Sequence, residues 1–329
     1  MTTTQSHLSR RTLLASGTAL ASSAVWAQTP ASAAYPSQSI KLIVPYPAGG
    51  ATDSLGRMMA QKLGEAWNIT VVVDNRTGAG GTIGNHLVVK AAPDGYTLLM
   101  GITSISQQPT LMSLPYDALK DLAPVIQIAK SPNVFVVPPD SPANSVKEFV
   151  ALVKANPGKY NYGSYGAGTS SHIQGALFNL QAGLDMVHVP FAGAAPLINN
   201  MMGGQLSCAF IDMGSVRAHL KSLKVLAVSG TQRLSNYPEV LTFEQLGYQS
   251  FEQYGWFGLF LPAATPTAIV TKMAEESSRI LRLPEVVARI EGMGLWVGGA
   301  KQDEFAKIVK TDTALYAKII KDANIKLNS

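Results

Sequence analysis

The chain has a single cysteine, Cys208, among 329 residues. No intrachain disulfide is possible, so the fold must rest on its core alone. Cys208 lies in the strand-like run 206–211, where a buried small hydrophobe is the expected role rather than a nucleophile. Charge is scarce too: Asp, Glu, Lys and Arg make up 14% of the chain against 47% hydrophobic residues. That balance supplies a large core and excludes disorder. The formal net charge of +5 is spread without a Lys/Arg block, so no nucleic-acid partner is expected. The excess would only mildly favour the approach of anions.

Reactive motifs are missing as well. There is no G-x-S-x-G elbow, no Gly-Lys-Ser/Thr phosphate loop, no H-E-x-x-H and no cysteine cluster. Hydrolase, nucleotide and zinc chemistry therefore find no support, and neither a catalytic residue, a metal nor a cofactor is expected. The glycine run 78–84 departs from the dinucleotide fingerprint, because Ile83 stands where its third glycine belongs; it reads as a structural turn. The histidines are scattered, and of them only His172 follows a candidate site turn closely enough to reach a cleft.

What is present begins with an export pattern. Ser9-Arg10-Arg11-Thr12-Leu13-Leu14 leads into a short apolar, small-residue stretch with acceptable cleavage sites near Ala27 and Ala33. This predicts a twin-arginine signal and linker over 1–34 and a periplasmic destination. Beyond it, strand and helix patterns alternate. Strands are expected at 39–44, 70–74 and 96–100, with a helix from 52 whose apolar face is Leu55, Met58, Met59 and Leu63 and whose N-cap is Thr52. Prolines flank a strand at 134–137, and a second α/β unit follows: a helix at 146–154, strands near 162, 186–189, 206–211 and 224–228, and helices at 173–180 and 195–202. The apolar run 254–261 reads as the chain returning to the first unit, followed by helices at 267–281, 284–293 and 301–320. The expected layout is a discontinuous lobe of 35–135 plus 255–329 and a continuous lobe of 136–254, each a doubly wound sheet flanked by helices.

Two glycine turns carry the functional signal. Tyr46-Pro47-Ala48-Gly49-Gly50 leads to Asp53, and Tyr165-Gly166-Ala167-Gly168 leads to Thr169, Ser170 and Ser171. Each sits between a strand and a helix, where backbone N–H groups and the helix dipole favour an anion. Neither turn holds Lys or Arg. A carboxylate, with one charge and two oxygens, is easier to hold with neutral donors than a phosphate.

These turns, with Asp74-Asn75-Arg76-Thr77-Gly78-Ala79-Gly80-Gly81, Pro93-Asp94-Gly95-Tyr96, Leu114-Pro115-Tyr116-Asp117 and His188-Val189-Pro190-Phe191 followed by Gly193 and Pro196, resemble the Bug family, the substrate-binding proteins of tripartite tricarboxylate transporters. The resemblance runs through 35–329. It implies a two-domain type II periplasmic binding protein, or Venus flytrap, that is no enzyme and needs no cofactor. It would capture an organic carboxylate, such as a dicarboxylate or the aromatic acid terephthalate, and deliver it as a monomer to a membrane permease. Carried over, the ligand contacts are Tyr46, Pro47, Ala48, Gly49, Gly50 and Asp53 from one lobe. From the other they are Tyr165, Gly166, Ala167, Gly168, Thr169, Ser170, Phe191, Ala192 and Gly193, with Asp212 set to read the distal end of the ligand. Ala192 departs from the pattern, since many members carry Lys or Arg there; the connection 217–224 also looks short. A periplasmic sensor and an α/β oxidoreductase are the alternatives, the second separable by cofactor absorbance and the first by neighbouring transporter genes.

Overall fold

Strand β1 (Ile40–Val44) buries every residue except Lys41, as a strand inside a covered parallel sheet should. Leu42 sits beside Val73 on one side and Leu98 on the other. The structure is a computed structural model that describes residues 1–2, 35–234 and 236–327. Arg10, Arg11 and the cleavage sites of the expected signal lie outside the described residues.

After β1 come α1 (Ala51–Trp67), β2 (Val71–Asn75), α2 (Thr82–Val89), β3 (Thr97–Ile102), α3 (Ser104–Leu111) and β4 (Leu122–Ser131). Next are β5 (Asn133–Val137), α4 (Val146–Lys154), β6 (Asn161–Ser164), α5 (Ser170–Ala182), β7 (Val187–Pro190), α6 (Ala194–Met202), β8 (Cys208–Asp212), the short α7 (Met213–Val216) and β9 (Lys224–Val228). The chain closes with β10 (Gly255–Pro262), α8 (Thr267–Ile280), α9 (Pro284–Gly292), β11 (Trp296–Val297) and α10 (Gln302–Asp322).

The strands form two mixed sheets flanked by helices, a two-domain α/β architecture. One runs β11-β4-β10-β3-β1-β2 and the other β7-β6-β8-β5-β9. In the first, β1 is parallel to β2 and β3 while β10 is antiparallel to β3 and β4. In the second, β6 is parallel to β7 and β8 while β5 is antiparallel to β8 and β9.

Four elements are absent from the sequence reading: the short α7 and β11, and the longer α3 and β4. β4 hides behind Pro124, which cannot donate to a ladder; it is accommodated opposite Phe260, where the β4–β10 register slips. α3 has no apolar period, yet Ser104, Ser106, Gln107 and Gln108 are all buried. Side-chain hydrogen bonds make that tolerable: Ser106 Oγ donates to the Val309 carbonyl at 3.1 Å and Gln108 Nε2 to the Gly80 carbonyl at 2.8 Å. One cap also differs. Gly50, not Thr52, is the N-cap of α1, and it makes no side-chain cap.

The core of the second sheet is aromatic. The Phe135 ring lies 5.3, 5.0, 4.9 and 6.0 Å from those of Phe149, Phe178, Phe210 and Phe243, within the usual range for favourable ring pairs. Cys208 is buried in the same cluster, as expected for a small hydrophobe. α10 joins both cores: Phe305 and Val309 pack with Phe260, and Tyr316, Ile319 and Ile320 with the Phe135 cluster.

Candidate functional site

The termini of several helices meet in one cleft. Gly50, Ala51 and Thr52 bring the start of α1, Ser170 the start of α5 and Ala194 the start of α6. The N-caps of all three helices, Gly50, Thr169 and Gly193, lack a side-chain cap. Helix starts present N–H groups and the positive end of the dipole, each worth about 0.3–1 kcal/mol to a nearby anion. Tyr46, Pro47, Tyr165, Trp256 and Phe257 give apolar wall, and Thr103, Ser131, Asn133 and Ser215 add polar groups. The cleft is nearly filled: its room for water is about 30 Å³, within about 500 Å³ of space between atoms that includes open solvent. Among the described residues no Lys, Arg or His lines it, and Asp212 is the one carboxylic acid that does.

Each wall is held from behind. The Tyr46 hydroxyl donates to the Gly80 carbonyl at 2.7 Å and lies 3.0 Å from Ser104 Oγ. Burial pushes that phenol far above its ordinary pKa, so it stays neutral. Gln107 Nε2 of α3 donates to Ser170 Oγ at 2.9 Å, and the Ala51 amide donates to Ser215 Oγ at 3.0 Å. Both bonds link elements that flank different sheets. Asp212 ends β8, caps α7 by accepting from the Ser215 amide at 2.9 Å and pairs with Asn133 in β5. Burial pushes its carboxyl up to about 6, against bonds from Ser215 and Gly214 that favour the charged form.

Among the expected contacts, Tyr46, Pro47, Gly50, Tyr165, Ser170 and Asp212 come together in this lining. The others stand outside it. Asp53 is buried behind the first turn, where it accepts from the Gly49 amide, Asn75 and Arg57. Burial alone would raise its pKa, but those bonds hold it below the usual carboxylate range. Ala48 is exposed at the crest of the turn. Gly166, Ala167 and Gly168 face the 78–81 turn and α3 instead. A Cβ on Gly80 would lie 2.4 Å from the Ala167 carbonyl oxygen, and one on Gly168 would lie 2.9 Å from Gln108 Cγ. The Thr169 hydroxyl closes its own turn on to the Gly166 carbonyl at 2.6 Å, and that of Ser171 donates to the Phe210 carbonyl. Their hydroxyls are thus engaged within the fold. Phe191 and Ala192 follow β7, the first half-buried and the second exposed, and Gly193 abuts Pro47, since a Cβ on it would lie 2.6 Å from Pro47 Cδ.

His172 does not reach the cleft. It is fully buried, accepts from the Gly168 amide through Nδ1 at 3.3 Å and stacks on His188 with 4.1 Å between ring centroids. Burial, with His188 adding to it, lowers its pKa to about 3; burial lowers His188 to about 4. The sequence reading misses Ile102, Thr103, Ser131, Asn133, Ser215 and the start of β10. Ile102–Thr103 and Asp212 lie at carboxyl ends of strands, where open α/β sheets place ligands. That rule was the available signal.

The comparisons with known proteins agree with this fold. Residues 55–325 match the family described as "Tripartite tricarboxylate transporter family receptor". BugT of Bordetella pertussis is 32% identical over 298 residues, which cover 89% of this chain and 91% of BugT. The periplasmic binding protein BugD superposes with a TM-score of 0.85 at 29% identity, covering 89% of this chain and 99% of BugD. The R. palustris protein Rpa4515, solved with adipate, gives 0.85 at 28% identity over 89% of this chain and 99% of its own. MatC from Rhodopseudomonas palustris, solved with malate, gives 0.83 at 25% identity over 87% and 100%.

Proposed function

We infer the function from kinship: the chain belongs to the tripartite tricarboxylate transporter family of receptors, which are periplasmic binding proteins and not enzymes. Proteins of this family bind small carboxylates and work with tripartite transporters. We propose that this chain captures an organic dicarboxylate in the cleft described above and delivers it to a membrane permease of that type, acting as a monomer. One observation carries the carboxylate reading: three uncapped helix starts converge on a cleft that holds no cation. Neutral N–H donors suit a singly charged carboxylate group better than a phosphate.

The neighbours solved with adipate and malate support a dicarboxylate. Tyr46, Tyr165, Trp256 and Phe257 offer flat apolar walls that suit an aromatic acid such as terephthalate equally well. The proposed contacts are Tyr46, Pro47, Gly50, Tyr165, Ser170 and Asp212. The turns containing Gly80 and Ala167, in contact here, would part when the lobe of 35–135 with 255–329 opens from that of 136–254. Export would use the twin-arginine pattern at Arg10 and Arg11. Calorimetry with succinate, adipate, suberate and terephthalate, each beside its dimethyl ester, tests the reading. At least one acid should bind while its ester does not, since the ester lacks the charge that helix starts favour. Equal binding of acid and ester would refute it.

A further inference from the structure

Asp212 places a carboxylate inside a cleft whose other features all favour a negative ligand. The groups that face the cleft with it are neutral. Tyr46 and Tyr165 are held uncharged by burial. Ser131 and Asn133 come from the join of β4 and β5, Ser170 from α5, Ser215 from α7, and Thr103 and Trp256 from the first sheet. Arg217, the basic residue that follows Asp212 in the chain, lines a separate hollow with Glu291 and Trp296. Nothing in the cleft neutralises Asp212, and a second carboxylate beside it would have no counter-charge. Two carboxylates that share a dry site cannot both ionise cheaply; one holds a proton or the pair separates.

Resting on the carboxylate reading above, we propose that Asp212 accepts a hydrogen bond from a donor on whichever end of the ligand the starts of α1, α5 and α6 do not hold, so that a dicarboxylate is held as its singly charged hydrogen form, with about one proton taken up from solution per ligand bound at pH 8. The proton comes from bulk water and is shared between the distal carboxyl and Asp212; no covalent bond forms or breaks elsewhere. The helix starts keep the ionised end. A ligand whose distal end is a hydroxyl or an ammonium satisfies the same acceptor without any proton uptake. The raised affinity of Asp212 itself for a proton fits this role, since it lowers the cost of the shared state.

The test is calorimetry on the purified protein, with titrations of succinate, adipate, suberate and terephthalate from pH 5 to pH 8, repeated in two buffers of different ionisation enthalpy. A dicarboxylate that binds should take up about one proton at pH 8 and progressively less toward pH 5, where Asp212 already carries one, and its affinity should fall by roughly tenfold per pH unit above about pH 7. The matched probe 6-hydroxyhexanoate should show neither effect. In Asp212→Asn, which keeps a good helix cap, the dicarboxylate should lose its proton uptake and most of its pH dependence. A dicarboxylate that binds the wild type with no proton uptake overturns the inference and leaves the carboxylate reading intact. Binding by none of these acids at any pH overturns the carboxylate reading, and this inference with it.

Discussion

Gly80→Ala should act as a wedge between the 78–81 turn and the 165–168 turn. Gly80 sits at φ 63° and ψ 23°, a left-handed conformation that costs alanine about 1–2 kcal/mol wherever the turn sits. That cost is common to separated and apposed turns. The overlap is not. A Cβ at this position would lie 2.4 Å from the Ala167 carbonyl oxygen and 2.7 Å from Gln108 Nε2. The amide of Gln108 is the end of a flexible side chain and can yield, but the carbonyl is backbone. The Gly80 side cannot easily retreat, because its own carbonyl is held by Tyr46 at 2.7 Å and by Gln108 at 2.8 Å. Relief must come from drawing the turns apart by about half an ångström or more. Overpacking of this kind costs about 1–3 kcal/mol, which against closure converts to an affinity loss of about 5- to 140-fold. The assay is calorimetric Kd of a binding carboxylate for wild type and variant, with small-angle scattering of both. The variant should bind more weakly and compact less on ligand addition. Unchanged Kd with normal compaction would mean that the apposition of Gly80 and Ala167 plays no part in ligand capture.

Other expectations follow from named groups. His172 and His188 have folded pKa values of about 3 and about 4, below the ordinary 6.5; the unfolded chain therefore takes up protons first, and stability present above pH 6.5 is lost as pH falls toward 3. At pH 5 the fully buried His172 alone accounts for about 2 kcal/mol, so urea unfolding of His172→Asn should lose about that much less than wild type between pH 7 and pH 5, and equal losses would refute the assignment. Phe135→Ala should cost about 3–5 kcal/mol in the same assay, because its ring meets four others in the second core; a cost under 1 kcal/mol would contradict that packing. Replacing Arg10 and Arg11 by lysine should leave the precursor in the cytoplasm, as fractionation and immunoblotting would show, whereas a normal periplasmic yield would dismiss the twin-arginine assignment.

Local signals were legible where local physics decides the outcome. Val146–Lys154 matches its expected bounds because an amphipathic repeat is opened by a reciprocal cap: the Glu148 amide donates to Ser145 Oγ and Glu148 accepts from the Asn144 amide. Lys224–Val228 matches as an apolar run with clear limits. α3 was invisible because its buried face is made of Ser and Gln, whose burial depends on distant carbonyls such as that of Val309. β4 was invisible because its proline is tolerated only through a register slip against a strand more than a hundred residues away in sequence. The same division holds at the cleft. Tyr46, Gly50, Tyr165 and Ser170 announce themselves as parts of strand–turn–helix units. Thr103, Ser131 and Ser215 become lining residues only because the two sheets meet there, and no spacing in the chain encodes that meeting.

The passage from β4 to β5 is one residue long, since β4 ends at Ser131 in one sheet and β5 begins at Asn133 in the other. Pro132 fills the gap, with a ring that fixes its φ. A link so short resists sliding of the sheets past one another at this point and favours swivelling about it. Points on a pivot travel least. Asn133 and its strand partner Asp212 sit beside that pivot, so Asp212, if it accepts from the ligand as proposed, would stand in place before any swing begins. Recognition at that residue would then come first in time, and engulfment second.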